Sequence, residues 1–280
     1  MLLGFLLYFL LFLPFVAVGQ KAEVVPAADG VPIHYAVQGK GETSLVFIHC
    51  WGCDRHLWDN QVATFSKTYR VVTIDLPGHG ESGQQRKKWS VEEYGEDVKR
   101  VVTKLDLKRV VLVGSSMGGS VALEAARRMP ERVVAIVPVD TLQNVEDKMP
   151  REQLDSIVKQ LRADFKGTLT GLLNQYLFSP STPVAVKNRV INEATSRPLE
   201  SSLAILEAVM VYDQVQGLSA VKVPIRAINS DLHPTKLETN RKYAPQFEVT
   251  IIKGVGHYPM LEDPARFNAM LTDVITALRI

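Results

Sequence analysis

The chain has 280 residues and a formal net charge of +2, with 46% hydrophobic and 22% charged residues. That is ordinary globular composition. The near-neutral charge and the lack of a dense Lys/Arg run speak against a dedicated nucleic-acid binder, and Arg86-Lys87-Lys88 reads as a solvated loop. The length allows one large α/β domain or two smaller ones. Two cysteines cannot make a disulfide framework, so the body must be held by its own core.

In chain order, the first feature is an apolar run over 1–19 without a charged side chain. Ala17 and Gly19 put small residues where a signal peptidase reads, and Gln20-Lys21-Ala22-Glu23 look like the start of a mature chain. The expectation is export with cleavage near Gly19. Because the run has no basic n-region and is close to bilayer length, an uncleaved membrane anchor and a buried N-terminal helix stay open.

Beyond it, short β-rich runs at 33–37, 45–48, 71–74, 110–113, 133–137, 225–228 and 249–252 alternate with helical stretches. Several of these runs are continuously apolar, as in strands buried on both faces of a parallel sheet. Ser90-Val91-Glu92-Glu93 has the form of a capping box and predicts a helix over 91–105. Segment 116–129 is rich in helix formers, and 264–278 starts with Pro and repeats Phe267, Met270-Leu271, Val274-Ile275 and Leu278 at helical spacing. This alternation predicts a doubly wound, mostly parallel α/β sheet. It breaks over 141–221, where helical runs near 151–165, 169–178 and 199–215 predict a helical cap inserted between core strands. The expected division is a core of 22–140 and 222–280 with that insertion.

After the run 110–113 comes Gly114-Ser115-Ser116-Met117-Gly118, a G-x-S-x-G between a strand and a helix. The central Ser116 sits on a sharp strained turn; Gly114 and Gly118 remove side chains that would strike the neighbouring strand and helix. The spacing fits neither a dinucleotide fingerprint nor a P-loop; a non-catalytic tight turn is the bland alternative. A serine hydroxyl needs a base. Of six histidines, His257, in Gly254-Val255-Gly256-His257-Tyr258 between the last strand and last helix, is best placed. The base needs a carboxylate to fix its tautomer. Asp231, after the run 225–228, is the first choice and Asp140, after 133–137, the second. His233, close to Asp231 in sequence, reads as a loop residue.

With these residues the chain resembles the α/β-hydrolase fold superfamily. His49-Cys50-Trp51-Gly52 looks like its H-G-x-G oxyanion segment, Asp75-Leu76-Pro77-Gly78-His79-Gly80-Glu81-Ser82 is close to D-x-P-G-x-G-x-S, and Gly256-His257 with Glu262 and Pro264 resembles G-H-x…E-x-P. The resemblance implies an esterase mechanism. Ser116 would attack a carbonyl carbon, His257 take its proton, Asp231 orient His257, and the backbone N–H groups of Trp51 and Met117 hold the oxyanion. No metal or organic cofactor is implied. The expected function is hydrolysis of a small or medium acyl carboxylic ester. Carbon–carbon bond or lactone hydrolysis by the same triad, and a non-catalytic ligand-binding role, are the alternatives. Apolar residues of the insertion (Phe165, Leu172-Leu173, Tyr176, Leu177-Phe178, Met210, Tyr212) could line an acyl pocket, but their helical spacing suits packing.

Cys50-Trp51-Gly52-Cys53 also has redox spacing. Its place after a strand, in the oxyanion loop, argues against a thioredoxin-type centre; His49 and His56 are near, but a metal would need further soft ligands and no second cysteine pair exists. A Cys50–Cys53 disulfide stays open. Cys50 departs from the glycine usual in the family at this position, where backbone must approach the substrate closely.

Overall fold

The computed structural model describes residues 23–279, so the expected signal or anchor segment 1–19 lies outside the described residues. Val-, Ile- and Leu-rich runs form β1 (Glu23–Pro26), β2 (Pro32–Gln38), β3 (Thr43–Ile48), β4 (Arg70–Ile74), β5 (Arg109–Ser115), β6 (Val133–Val139), β7 (Ile225–Ser230) and β8 (Phe247–Ile252). They make one eight-stranded sheet in the order β1-β2-β4-β3-β5-β6-β7-β8. The β1–β2 and β2–β4 pairs are antiparallel and the other pairs are parallel.

Central strands are buried on both faces, which is why they read as unbroken apolar runs. Their side chains alternate between two cores. Val46, Ile48, Val110 and Leu112 face one; Leu45, Phe47, Val111 and Val113 face the other. Each such side chain, fully buried, stabilises the fold by about 1.5–3 kcal/mol.

The helices follow in chain order. A 3-10 turn, Arg55–Trp58, leads into α1 (Asp59–Phe65). Next come α2 (Val91–Lys104), with Ser90 accepting from the Glu93 N–H as its cap, and α3 (Met117–Arg128). Between β6 and β7 the chain is helical: α4 (Arg151–Ala163), α5 (Phe165–Tyr176), α6 (Val184–Thr195), α7 (Leu199–Met210) and α8 (Gln214–Ser219). Then come α9 (Leu237–Tyr243), the one-turn α10 (Pro259–Glu262) and α11 (Pro264–Ala277).

The helical run α4–α8 docks on the loops at the carboxyl ends of the strands. Trp51 Nε1 donates to the Ser202 carbonyl at 3.1 Å, Arg189 to the His56 carbonyl at 2.9 Å, and the His257 N–H to the Leu177 carbonyl at 2.8 Å. Of the insertion's apolar residues, Leu173 and Phe178 are buried in the core, and Phe165, Leu172 and Leu177 pack against it. Among the described residues no helix is long and apolar enough to cross a membrane.

Candidate active site

Ser116 stands between β5 and α3 with φ 51° and ψ −117°. This left-handed-side conformation costs a non-glycine residue about 1–3 kcal/mol and survives only where its surroundings hold it. They do: the Ser116 N–H donates to Val139 at 3.0 Å, and the Gly119 N–H to Ser116 at 2.8 Å. The glycines behave as the motif requires. A Cβ at Gly114 would strike the Gly118 carbonyl, and one at Gly118 the Ile48 and His49 carbonyls. The turn therefore presses α3 against the end of β3. Met117, as the first residue of α3, has an N–H without an intrahelical acceptor.

His257 lies in the loop between β8 and α10. Glu262 holds this loop from both sides, accepting from the Gly256 N–H at 2.8 Å and the Tyr258 N–H at 3.1 Å. The ring is buried, and its Nδ1 is 2.6 Å from Asp140 Oδ2. Asp140 Oδ1 accepts two further bonds, from the Ser230 N–H and the Ser230 hydroxyl, both at 2.7 Å. Burial alone would raise the Asp140 carboxyl. The hydrogen bond and charge of His257, with the two Ser230 donors, more than offset it and hold the group below its ordinary value.

The carboxylate that meets His257 is therefore Asp140, not Asp231. Asp231 is exposed and accepts from the Gly254 N–H at 2.8 Å, closing the turn after β8. The physical reason lies in the strand ends. Asp140 leaves β6 at φ 45°, its own N–H bonded to Ile228 of β7 at 3.0 Å. Its carboxylate is thereby carried over the end of β7, where Ser230 supplies donors. The end of β7 contributes hydrogen bonds to the acid, not the acid itself. His233 is exposed, with Nε2 2.9 Å from the Tyr176 carbonyl, away from this cluster.

The loop after β3 is fixed by buried polar groups. His49 Nε2 is 3.0 Å from the Leu76 N–H and so must accept; Nδ1 then carries the proton and donates to the Cys50 carbonyl at 2.7 Å. Burial keeps the His49 imidazole below its ordinary pKa, hence neutral. Asp75 accepts from the Arg55 N–H at 2.7 Å, the Glu81 N–H at 3.0 Å and the Arg55 guanidinium, tying this loop to the one after β4. Cys50 and Cys53 form a disulfide around Trp51 and Gly52.

Ser116, Met117, Asp140 and His257 line one cavity of about 350 Å³. The helical run completes its wall with Leu154, Val209, Met210, Val211 and Tyr212 beside the polar Arg151 and Gln214, and the preceding connection adds Met149, Gln143, Asp147 and Lys148. Met210 and Tyr212 are thus pocket residues, whereas Tyr176 is exposed on another surface and Trp51 is not in the cavity wall. Sequence reasoning missed Ser230 and the loop clamp of Glu262; the Glu262 signal was present in the G-H-x…E-x-P pattern but unassigned.

A family model described as the alpha/beta hydrolase family matches residues 45–270. The pimeloyl-[acyl-carrier protein] methyl ester esterase of Wigglesworthia glossinidia brevipalpis is 26% identical over 255 residues, covering 84% of this chain and 95% of that one. The solved structure of Est816, described as an N-acyl homoserine lactone degrading enzyme, superposes with a TM-score of 0.78 at 26% identity, over 90% of this chain and 99% of that one. A thermophilic esterase from Thermogutta terrifontis shares the fold, with a TM-score of 0.81 at 23% identity over 93% of this chain and 100% of that one. With a match over most of its length, a sheet of the corresponding topology and a serine at the strand–helix turn, this chain belongs to the alpha/beta hydrolase family.

Proposed function

We propose that this protein is a serine hydrolase that cleaves carboxylic esters through an acyl-enzyme, with Ser116 as nucleophile, His257 as base and Asp140 as the acid that orients it. The observation that carries the reading is the buried 2.6 Å contact between His257 Nδ1 and Asp140 Oδ2 in a cavity that also contains the strained Ser116. With Nδ1 committed to Asp140, Nε2 is the ring atom free to take the Ser116 proton as Oγ attacks the carbonyl carbon. Asp140, kept ionised, stabilises the imidazolium that forms. The proton then passes to the leaving alkoxide, water deprotonated by His257 attacks the acyl-enzyme, and Ser116 is regenerated. The Met117 and Trp51 N–H groups would hold the oxyanion, each worth about 2.7–4 kcal/mol of transition-state stabilisation.

The helical run α4–α8 acts as the cap that shapes the acyl site. The apolar part of its wall (Leu154, Val209, Met210 and Val211) and the cavity of about 350 Å³ suit a small or medium acyl group. Lactone hydrolysis is the second reading, supported by the resemblance to Est816; the chemistry is the same, with the leaving alkoxide tethered to the acyl group. We further propose that the chain is exported with cleavage near Gly19, which the Cys50–Cys53 disulfide supports, since such bonds persist in oxidising compartments. The test of function is hydrolysis of p-nitrophenyl acetate and butyrate beside a panel of aliphatic lactones. Turnover that disappears in Ser116→Ala supports the reading, and binding without turnover contradicts it.

A further inference from the structure

The Trp51 N–H assigned to the oxyanion belongs to a peptide whose other end, the Cys50 carbonyl, is buried and held. In a trans peptide the N–H and C=O point in opposite directions, and no cis peptide bond occurs among the described residues. Whatever grips the Cys50 carbonyl therefore aims the Trp51 N–H. The His49 Nδ1–H holds it at 2.7 Å and the Cys53 N–H at 3.3 Å. That N–H in turn shares a peptide with the Gly52 carbonyl, which accepts from Arg197 Nε at 3.2 Å. Two hydrogen-bonded peptide units thus run in series from the Arg197 guanidinium to the Trp51 N–H.

Arg197 sits in the connection between α6 and α7, with its side chain only 12% exposed. Its Nη2 also donates to the Cys53 carbonyl at 2.9 Å and meets Asp54 Oδ2 at 3.3 Å. Helix α7, which follows directly, brings Ser202, whose carbonyl holds the Trp51 ring at 3.1 Å. Gly52, at φ 76°, lies close under α6: a Cβ there would be 3.0 Å from Ala194 Cβ.

Resting on the ester-hydrolase reading above, we propose that Arg197 is a positioning residue through which the helical segment sets and polarises the oxyanion donor. A cation on the Gly52 carbonyl makes the Cys53 N–H a stronger donor. That bond polarises the Cys50 carbonyl, and the Trp51 N–H becomes more positive. Hydrogen bonds in series strengthen one another in this way, most where water is excluded. The effect is exerted where negative charge develops, so it belongs to the transition state and not to ground-state binding.

The experiment compares Arg197→Gln, Arg197→Lys and Arg189→Gln in the full protein. It measures kcat and KM for p-nitrophenyl acetate, inhibition by phenylboronic acid, which forms a tetrahedral adduct on an active serine, and thermal stability. Arg189 comes from the same helical segment and holds the His56 carbonyl at 2.9 Å, outside the two-peptide series. Arg197→Gln is expected to lower kcat about tenfold and weaken phenylboronic acid about tenfold with KM within about twofold, a partial loss of the effect of one oxyanion donor. Arg197→Lys, a point charge unable to serve both carbonyls, is expected to fall severalfold and to provide the test if the glutamine variant does not fold. Arg189→Gln is expected to keep wild-type kcat. Wild-type kcat and inhibition in a folded Arg197 variant, or an equal loss in Arg189→Gln, overturns the proposal while leaving the hydrolase reading intact. Activity retained in Ser116→Ala fails the hydrolase reading instead.

Discussion

The identity of the acid is the sharpest question at the scale of single residues. Asp140→Asn leaves a neutral amide against His257, unable to enforce the tautomer or stabilise the imidazolium, and is expected to lower kcat about ten-thousandfold. Asp231→Asn touches only an exposed turn at Gly254 and is expected to leave kcat within about twofold. Steady-state kinetics of the two variants checks both, and the reverse pattern would return the role to Asp231. Ser116 and His257 were legible in the sequence because glycines and chain order surround them. Asp140 was legible only as a second choice, because its reach to His257 depends on a positive φ at the end of β6 and on donors from Ser230. No local pattern announces either feature. Asp231 instead closes the turn after β8 through the Gly254 N–H.

The strand–turn–helix unit β5–α3 was the most legible element, since every glycine in it answers a contact. In Gly118→Ala the new methyl would meet the His49 carbonyl at 2.8 Å and the Ile48 carbonyl closer still. Overpacking of this kind is expected to cost about 1–3 kcal/mol, visible as a lowered urea midpoint; an unchanged midpoint would mean the elbow has more room than the structure gives it. The loop after β3 was legible as a motif but not in detail. Its cysteines formed one possibility among several, and the disulfide now found between them brackets the Trp51 N–H. Reduction with a phosphine is expected to lower kcat severalfold while KM changes little. Full kcat with two titratable thiols would separate the disulfide from catalysis. Helix α6 escaped sequence reading because Val184, Val186 and Val190 sit in it, and β-branched residues dilute the helical signal.

Across the whole molecule, the doubly wound sheet was legible because its central strands are buried on both faces and carry that fact in their own composition; the exposed edge strand β1 was not. The seating of the helical segment was not, since it depends on contacts such as Arg189 to His56 and Trp51 to Ser202 that are more than a hundred residues apart. The folded state also carries a pH dependence. Burial holds His49 below its ordinary value of 6.5 and His79 well below it. In the window between 6.5 and those depressed values the unfolded chain binds protons that the folded chain refuses, so stability is lost as pH falls through it. Between pH 7 and pH 5 the thermal midpoint of His79→Gln is expected to fall less, relative to its own value at pH 7, than that of the unsubstituted protein; parallel curves would remove His79 as a source. Export is tested by the N-terminal residue of the mature protein, expected at or near Gln20; Met1 recovered in membrane fractions would favour an anchor. The most direct test of the account as a whole is acid-quenched reaction with p-nitrophenyl butyrate followed by peptide mass analysis. A butyryl group on Ser116 that appears with the first turnover and is absent in Ser116→Ala is the predicted result. Turnover without acylation at Ser116 would contradict it.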